Sequence, residues 1–312
     1  MKLALFSCIV LAAGLCEASP RIDNVLIRMV PPGTTGLVGG HMDQIIGSPL
    51  YEKLMAQQKL PQLDQFARET GFDPRRDVRE ILSATTDNGT VLLARGKFTV
   101  NPEPIEGLKL VRHGEYNIHA FEESGFCILD STLAVAGQIP AVEAALDEWK
   151  ANGSHHAAEQ LLKSVGSLNP QTPLWGVSTG FAQFLAQNMP RAGNNGIDFA
   201  TIFKGIQTSW FSADISSGFV GGIHCTTAAE KDAQNLRDAA KGLIGLGRLS
   251  VPENRPELLR FWDGFAVEQD GRSFSLNIDV SGDLIDQMAQ MLYAPSGRGR
   301  GGRGASGRRS RL

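Results

Sequence analysis

The sequence predicts an α+β fold: antiparallel sheets made from repeated hairpin-plus-helix units, helices on one face, and two similar lobes suggested by strand counts near five per half. Three observations predict it. Short alternating runs of apolar and polar residues recur in pairs around Gly-containing turns, the pattern of hairpins. An apolar stripe at helical spacing follows each pair. Apolar residues make up 42% of the 312-residue chain, enough for a sizeable core. Hairpins alternating with single helices give antiparallel sheets, because a tight turn can only reverse the chain.

In chain order, the first segment is a leader. Met1 to Ala18 has a basic start at Lys2, an apolar run from Leu3 to Leu15, and small residues at Cys16 and Ala18. The run is too short to span a bilayer comfortably, and the pattern is that of a cleaved secretory signal. Residues 1–18 are therefore expected to be removed, leaving a periplasmic or secreted protein from Ser19. Cys16 raises a lipid anchor, but Leu15 stands where such a signal has a small residue.

The first unit is read as a strand over Val25–Val30, a turn at Pro31-Pro32-Gly33, a strand through Gly36-Leu37-Val38 and a helix capped by Ser48-Pro49. A helix marked by Leu63, Phe66 and Ala67 follows. A hairpin turns at Asn88-Gly89, between Ile81–Thr85 and Thr90–Phe98. The second unit has strands over Tyr116–Phe121, Phe126–Leu129 and Thr132–Ala136, then a helix striped by Val142, Ala145, Leu146 and Trp149. Further helices are marked by Ala158, Leu161, Leu162 and Val165, and by Phe181, Phe184 and Leu185. The third unit pairs Thr208–Ile215 with Val220–Thr226 and opens its helix with a capping box, Thr227 to Glu230. The fourth turns at Asp270-Gly271 and alternates through Phe274, Leu276, Ile278 and Val280. Its helix, capped by Ser281, turns Leu284, Ile285, Met288 and Leu292 inward. The lobes are placed at residues 19–155 and 156–295, joined between Gly153 and Pro173.

Ser296 to Leu312 carries Arg298, Arg300, Arg303, Arg308, Arg309 and Arg311, and no acid. The chain's net charge is −3, so the remainder stands at −9. This composition cannot bury enough apolar surface to order itself, so a disordered tail is expected. Its six arginines are the candidate binding residues, for an anionic envelope surface, an anionic polymer or nucleic acid. No folded RNA-binding signature accompanies them.

Thr70-Gly71-Phe72-Asp73-Pro74-Arg75-Arg76-Asp77-Val78, Ile128 to Gly137, and Pro173-Leu174-Trp175 resemble stretches of an uncharacterised family of exported bacterial α+β proteins. The resemblance spans roughly residues 20 to 293. It implies the fold and export, and it brings no assigned activity and no functional residues.

The sharpest catalytic motif is Gly176-Val177-Ser178-Thr179-Gly180, a Gly-x-Ser-x-Gly between an apolar strand and a helix, the setting of a nucleophile elbow. His224 is the one histidine after it, and Asp198 and Asp214 lie between, in the order Ser, Asp, His. Ser178, Asp214 and His224 are the candidate triad. Against it, hairpins replace the parallel βαβ units that an α/β-hydrolase needs, and His224 falls inside a strand.

His41, His113, His119, His155, His156 and His224 spell no zinc-protease spacing. His113 and His119 could meet across a hairpin at Gly114. Gly242 to Gly247 is glycine-rich but ends a helix, where a phosphate meets the wrong end of the dipole. It reads as a helix stop. No cofactor and no metal are called for, and no transmembrane helix follows signal cleavage. Outside the leader, Cys127 and Cys225 could form a disulfide in an oxidising compartment or remain buried thiols. The leading functional reading is a non-enzymatic exported protein that acts by binding. The alternatives are a serine hydrolase using Ser178, and nucleic-acid or anionic-polymer binding through the tail.

Overall fold

The computed structural model describes residues 23–49, 51–52, 67–68, 73–99, 105, 107–151, 156–163, 172–181 and 202–293. Asp23 opens the first helix, α1 (Asn24–Ile27), by accepting from Val25 N at 2.8 Å. Its other carboxylate oxygen holds Arg95 Nε at 2.7 Å, and its N–H donates to Glu80 at 3.0 Å. This corrects the strand expected over Val25–Val30. Leu26, Met29 and Val30 are buried at i, i+3 and i+4, a helical spacing that a short run broken only by Arg28 conceals.

The chain continues through β1 (Gly36–His41), α2 (Met42–Ile46), α3 (Pro74–Asp77), β2 (Val78–Thr86) and β3 (Gly89–Gly96). Two short hairpins follow as β4 (Lys109–His113), β5 (Tyr116–Phe121), β6 (Ser124–Asp130) and β7 (Leu133–Gln138). Then come α4 (Ile139–Lys150), α5 (His156–Lys163), β8 (Leu174–Ser178), β9 (Ile206–Asp214) and β10 (Gly218–Thr227). The last elements are α6 (Glu230–Leu249), α7 (Leu259–Asp263), β11 (Phe265–Asp270), β12 (Ser273–Ser281) and α8 (Gly282–Tyr293). The helices expected around Leu63 and after Phe181 lie almost wholly outside the described residues.

The fold is α+β, with one antiparallel sheet in the order β11-β12-β10-β9-β8-β1-β2-β3-β7-β6-β5-β4. Strands from the two halves of the chain meet at β1 and β8, where Gly36 lies opposite Ser178 and Gly39 opposite Trp175. Two glycines serve this seam. A Cβ at Gly39 would stand on the Trp175 indole, and one at Gly176 would stand on the Phe211 ring. The two aromatics cover neighbouring glycines on opposite faces of the sheet, because side chains alternate along β8.

That alternation, carried through the register, sorts the core. Leu37, Leu82, Leu93, Val135, Ile118, Trp175 and Val177 share the first face. Helix α4 packs there through Ala141, Val142, Ala145 and Leu146, all fully buried. In the C-terminal half the main core is on the second face. Cys225, Phe274, Leu276 and Ile223 point that way and meet Ala233, Leu236 and Ala240 of α6. Each half thus has a principal helix on one face, and the face changes across the seam.

Helix α6 starts two residues later than the expected box. The Asp232 carboxylate accepts from Ala229 N at 3.2 Å, while the Thr227 hydroxyl reaches the carbonyls of Ala229 and Arg272. The glycine-rich run does not stop the helix, which continues to Leu249. A Cβ at Gly247 would meet Trp262, so the glycine there lets α7 approach α6.

Candidate functional site

Because α6 lies on the second face, the C-terminal half of the first face is left open among the described residues. The register arranges it in rows. Trp210, His224, Ser275 and Glu268 stand side by side on β9, β10, β12 and β11. The next row is Ser212, Gly222, Asn277 and Ala266, and beyond it lie Asp214, Val220 and Asp279. Val220 is 51% exposed, and Ala266, Glu268, Asp270, Ser273 and Asp279 are exposed as well. Strands β9 to β12 contain no Lys or Arg, so the acidic side chains here face solvent without a basic neighbour on their own strands.

Trp210 and His224 stack across β9 and β10, with centroids 3.7 Å apart and planes 11° from parallel. Burial holds the His224 imidazole below its ordinary range, and the nearby Glu268 charge works the other way. A neutral, half-buried imidazole on an aromatic partner is a platform for polar or planar groups, with Ser275 and Asn277 as hydrogen-bonding neighbours.

The structure does not bring the three triad candidates together. Val177 and Trp210 are opposite each other on the first face, so Ser178 points to the second face and His224 to the first. Ser178 Oγ donates to Thr35 O at 3.2 Å and accepts from Gly180 N at 3.0 Å. The serine fastens the end of the seam. Asp214 lies on the first face, two rows from His224, and caps the next turn by accepting from Ser216 N at 2.8 Å. Asp198 and the tail residues Arg298, Arg300, Arg303, Arg308, Arg309 and Arg311 lie outside the described residues.

Cys127 and Cys225 are free and buried. They lie on β6 and β10, seven strand steps apart in the sheet order, which at about 4.8 Å per step is about 34 Å. They also face opposite sides. A disulfide needs Cα atoms within about 7 Å, so the pairing is excluded within one chain. Burial pushes the Cys127 thiol up to about 11 and the Cys225 thiol up to about 12.

The two hairpin histidines do not meet either. His113 is opposite Tyr116 and His119 opposite Leu110, which places them on opposite faces. His113 Nε2 lies 2.8 Å from Asp147 and Nδ1 3.6 Å from Glu143 on α4. His119 is buried and stacks on Phe126 at 5.2 Å. Among the described residues no His, Cys, Asp and Glu cluster could hold a metal, and no helix is long and apolar enough to cross a membrane. Residues 73–77 close a structural loop: Asp73 accepts from Arg75 N at 3.0 Å, and Asp77 accepts from Asp73 N at 2.9 Å.

These features define a mixed α+β protein on one large antiparallel sheet. No family model and no curated protein matches the chain. Among solved structures it is similar to crystal forms I, III and IV of TP0453, a bacterial protein. The TM-scores are 0.46, 0.47 and 0.46, at 9%, 8% and 6% identity. The matches cover 86%, 85% and 84% of this chain and 97%, 98% and 96% of the others. Likeness at this distance assigns no activity.

Proposed function

We propose that the protein is exported and acts by binding, with residues 296–312 contacting anionic surfaces or polymers and the open half of the sheet as a second contact face. The position of Ser178 carries the preference for binding over catalysis: its hydroxyl is engaged by backbone groups, and the whole sheet separates it from His224. The leader supports export, as does the resemblance of residues 70–78, 128–137 and 173–175 to exported bacterial proteins. Six arginines near an anionic surface contribute about 1 kcal/mol each, enough for measurable binding without a folded pocket.

The test is co-sedimentation with phosphatidylglycerol vesicles and with neutral phosphatidylcholine vesicles, at low and high salt. Binding is expected to the anionic vesicles alone, to weaken steeply with salt, and to be lost when residues 296–312 are deleted. Equal binding to both vesicle types sinks the electrostatic reading. An ester-hydrolysing activity lost in Ser178→Ala would replace binding with catalysis. Intact mass from cell fractions tests export: a chain beginning at Ser19 is expected, and an uncleaved cytosolic chain contradicts it.

A further inference from the structure

Among the described residues the sheet ends in two edge strands of opposite character. At one end, β4 and β5 are joined by the two-residue turn Gly114-Glu115, with His113 opposite Tyr116. The closing pair of such a turn is hydrogen-bonded, so the backbone groups of Leu110 and Arg112 point away from β5. At the other end, Asp279 N–H donates to Gly264 O at 2.8 Å. By alternation, Ala266, Glu268 and Asp270 bond to β12, and the backbone groups of Phe265, Val267 and Gln269 point outward.

Neither edge carries a proline or a recorded bulge, two of the usual devices that stop strand addition. Their charges are complementary. Strand β4 has Lys109, Arg112 and His113 and no acid; β11 has Glu268 and Asp270 and no base. His113 is turned to Asp147 and Glu143, so Lys109 and Arg112 set the sign of that edge. The β4 end also exposes apolar side chains on the second face, Leu110 at 44% and Phe121 at 61%. On β11 the outward residues Phe265 and Val267 face the same side.

We propose that copies of this chain associate head to tail, β4 of one copy adding antiparallel to β11 of the next. Matching the outward groups places Leu110 opposite Val267 and Arg112 opposite Phe265 of the next copy. Lys109 then meets Glu268, and Val111 meets Ala266. Leu110 thus meets Val267 on the second face, where Arg112 lies against Phe265, and Lys109 meets Glu268 on the first, with each face continuous across the junction. Like edges repel: β4 on β4 gathers four side-chain cations from Lys109 and Arg112, and β11 on β11 gathers four carboxylates. The contact is heterologous, so it builds open chains of copies rather than a closed dimer.

Sedimentation velocity of the full chain over a concentration series, at low and high salt, tests this. Assemblies growing beyond a dimer with concentration, and at least tenfold weaker at high salt, are expected. Lys109→Glu/Arg112→Glu and Glu268→Lys/Asp270→Lys should each remain monomeric. Their equimolar mixture should associate again, because each variant then presents the edge that the other lacks. Circular dichroism checks that both variants fold. A wild-type chain that stays monomeric throughout, a charge-reversed variant that associates like wild type, or a folded mixture that stays monomeric overturns the proposal.

Discussion

Replacing Ser178 with alanine removes a hydroxyl that donates to Thr35 O and accepts from Gly180 N–H. The expected outcome is a loss of about 1 kcal/mol of stability, read from a urea titration, with background ester hydrolysis unchanged. The buried thiols give a second readout at this scale. Thiolate is the reactive form, and burial raises the values of Cys127 and Cys225 well above neutral. Iodoacetamide at neutral pH should leave both unmodified in the folded protein and modify both in denaturant, with no reductant needed. A mass about 2 Da below the dithiol form, without added alkyl groups, would contradict the separation of β6 from β10.

At the scale of elements, the seam depends on glycine where propensity would favour a β-branched residue. Gly39→Val improves strand propensity yet places its side chain on Trp175, which is 1% exposed. Overpacking of this kind costs about 1–3 kcal/mol, so a lower melting temperature and altered Trp emission are expected. The loop at α3 gives a pH dependence. Hydrogen bonding to Arg75 lowers Asp73, and hydrogen bonding to Arg76 lowers Asp77, from an ordinary 3.8. Carboxylates lowered by folding stabilise above their unfolded value, and the contribution is lost as pH falls through the folded value. Between about pH 7 and about pH 3, wild type should lose more stability than Asp73→Asn/Asp77→Asn, measured as the shift in denaturation midpoint.

The elements also show what was legible. The hairpins at Asn88-Gly89 and Asp270-Gly271 were readable because turn chemistry is local, as was α4, whose stripe reports its buried face. Helix α1 was not readable, because Val25–Val30 has a single polar residue, Arg28, and too short a run to show its period. The candidate site was less legible still. Whether Ser178 and His224 share a face depends on which residue of β9 lies opposite Val177. That register joins strands separated by a long stretch of chain, and no turn between them records it.

For the whole molecule, the continuous sheet predicts coupled unfolding. Thr35 N bonds to Thr85 O, Thr179 N to Thr35 O, and His41 N to Pro173 O, each at 2.8 Å. Strand β1 is therefore tied on both sides along its length. Calorimetry should show one transition whose calorimetric and van't Hoff enthalpies agree; two resolved transitions would mean that the halves melt independently.

The same seam sets an order of events during synthesis. Strand β1 leaves the ribosome before β2 to β7, yet its neighbour β8 is made only after all of them. Contacts so distant in sequence form slowly, since a long loop must close before they add any stability. Throughout that interval the Gly36–His41 edge has one side unpaired and open to strands of other nascent chains. A chain cut short before Leu174 would keep that exposed edge permanently, so premature termination in the middle of this protein should yield aggregates, not a soluble half.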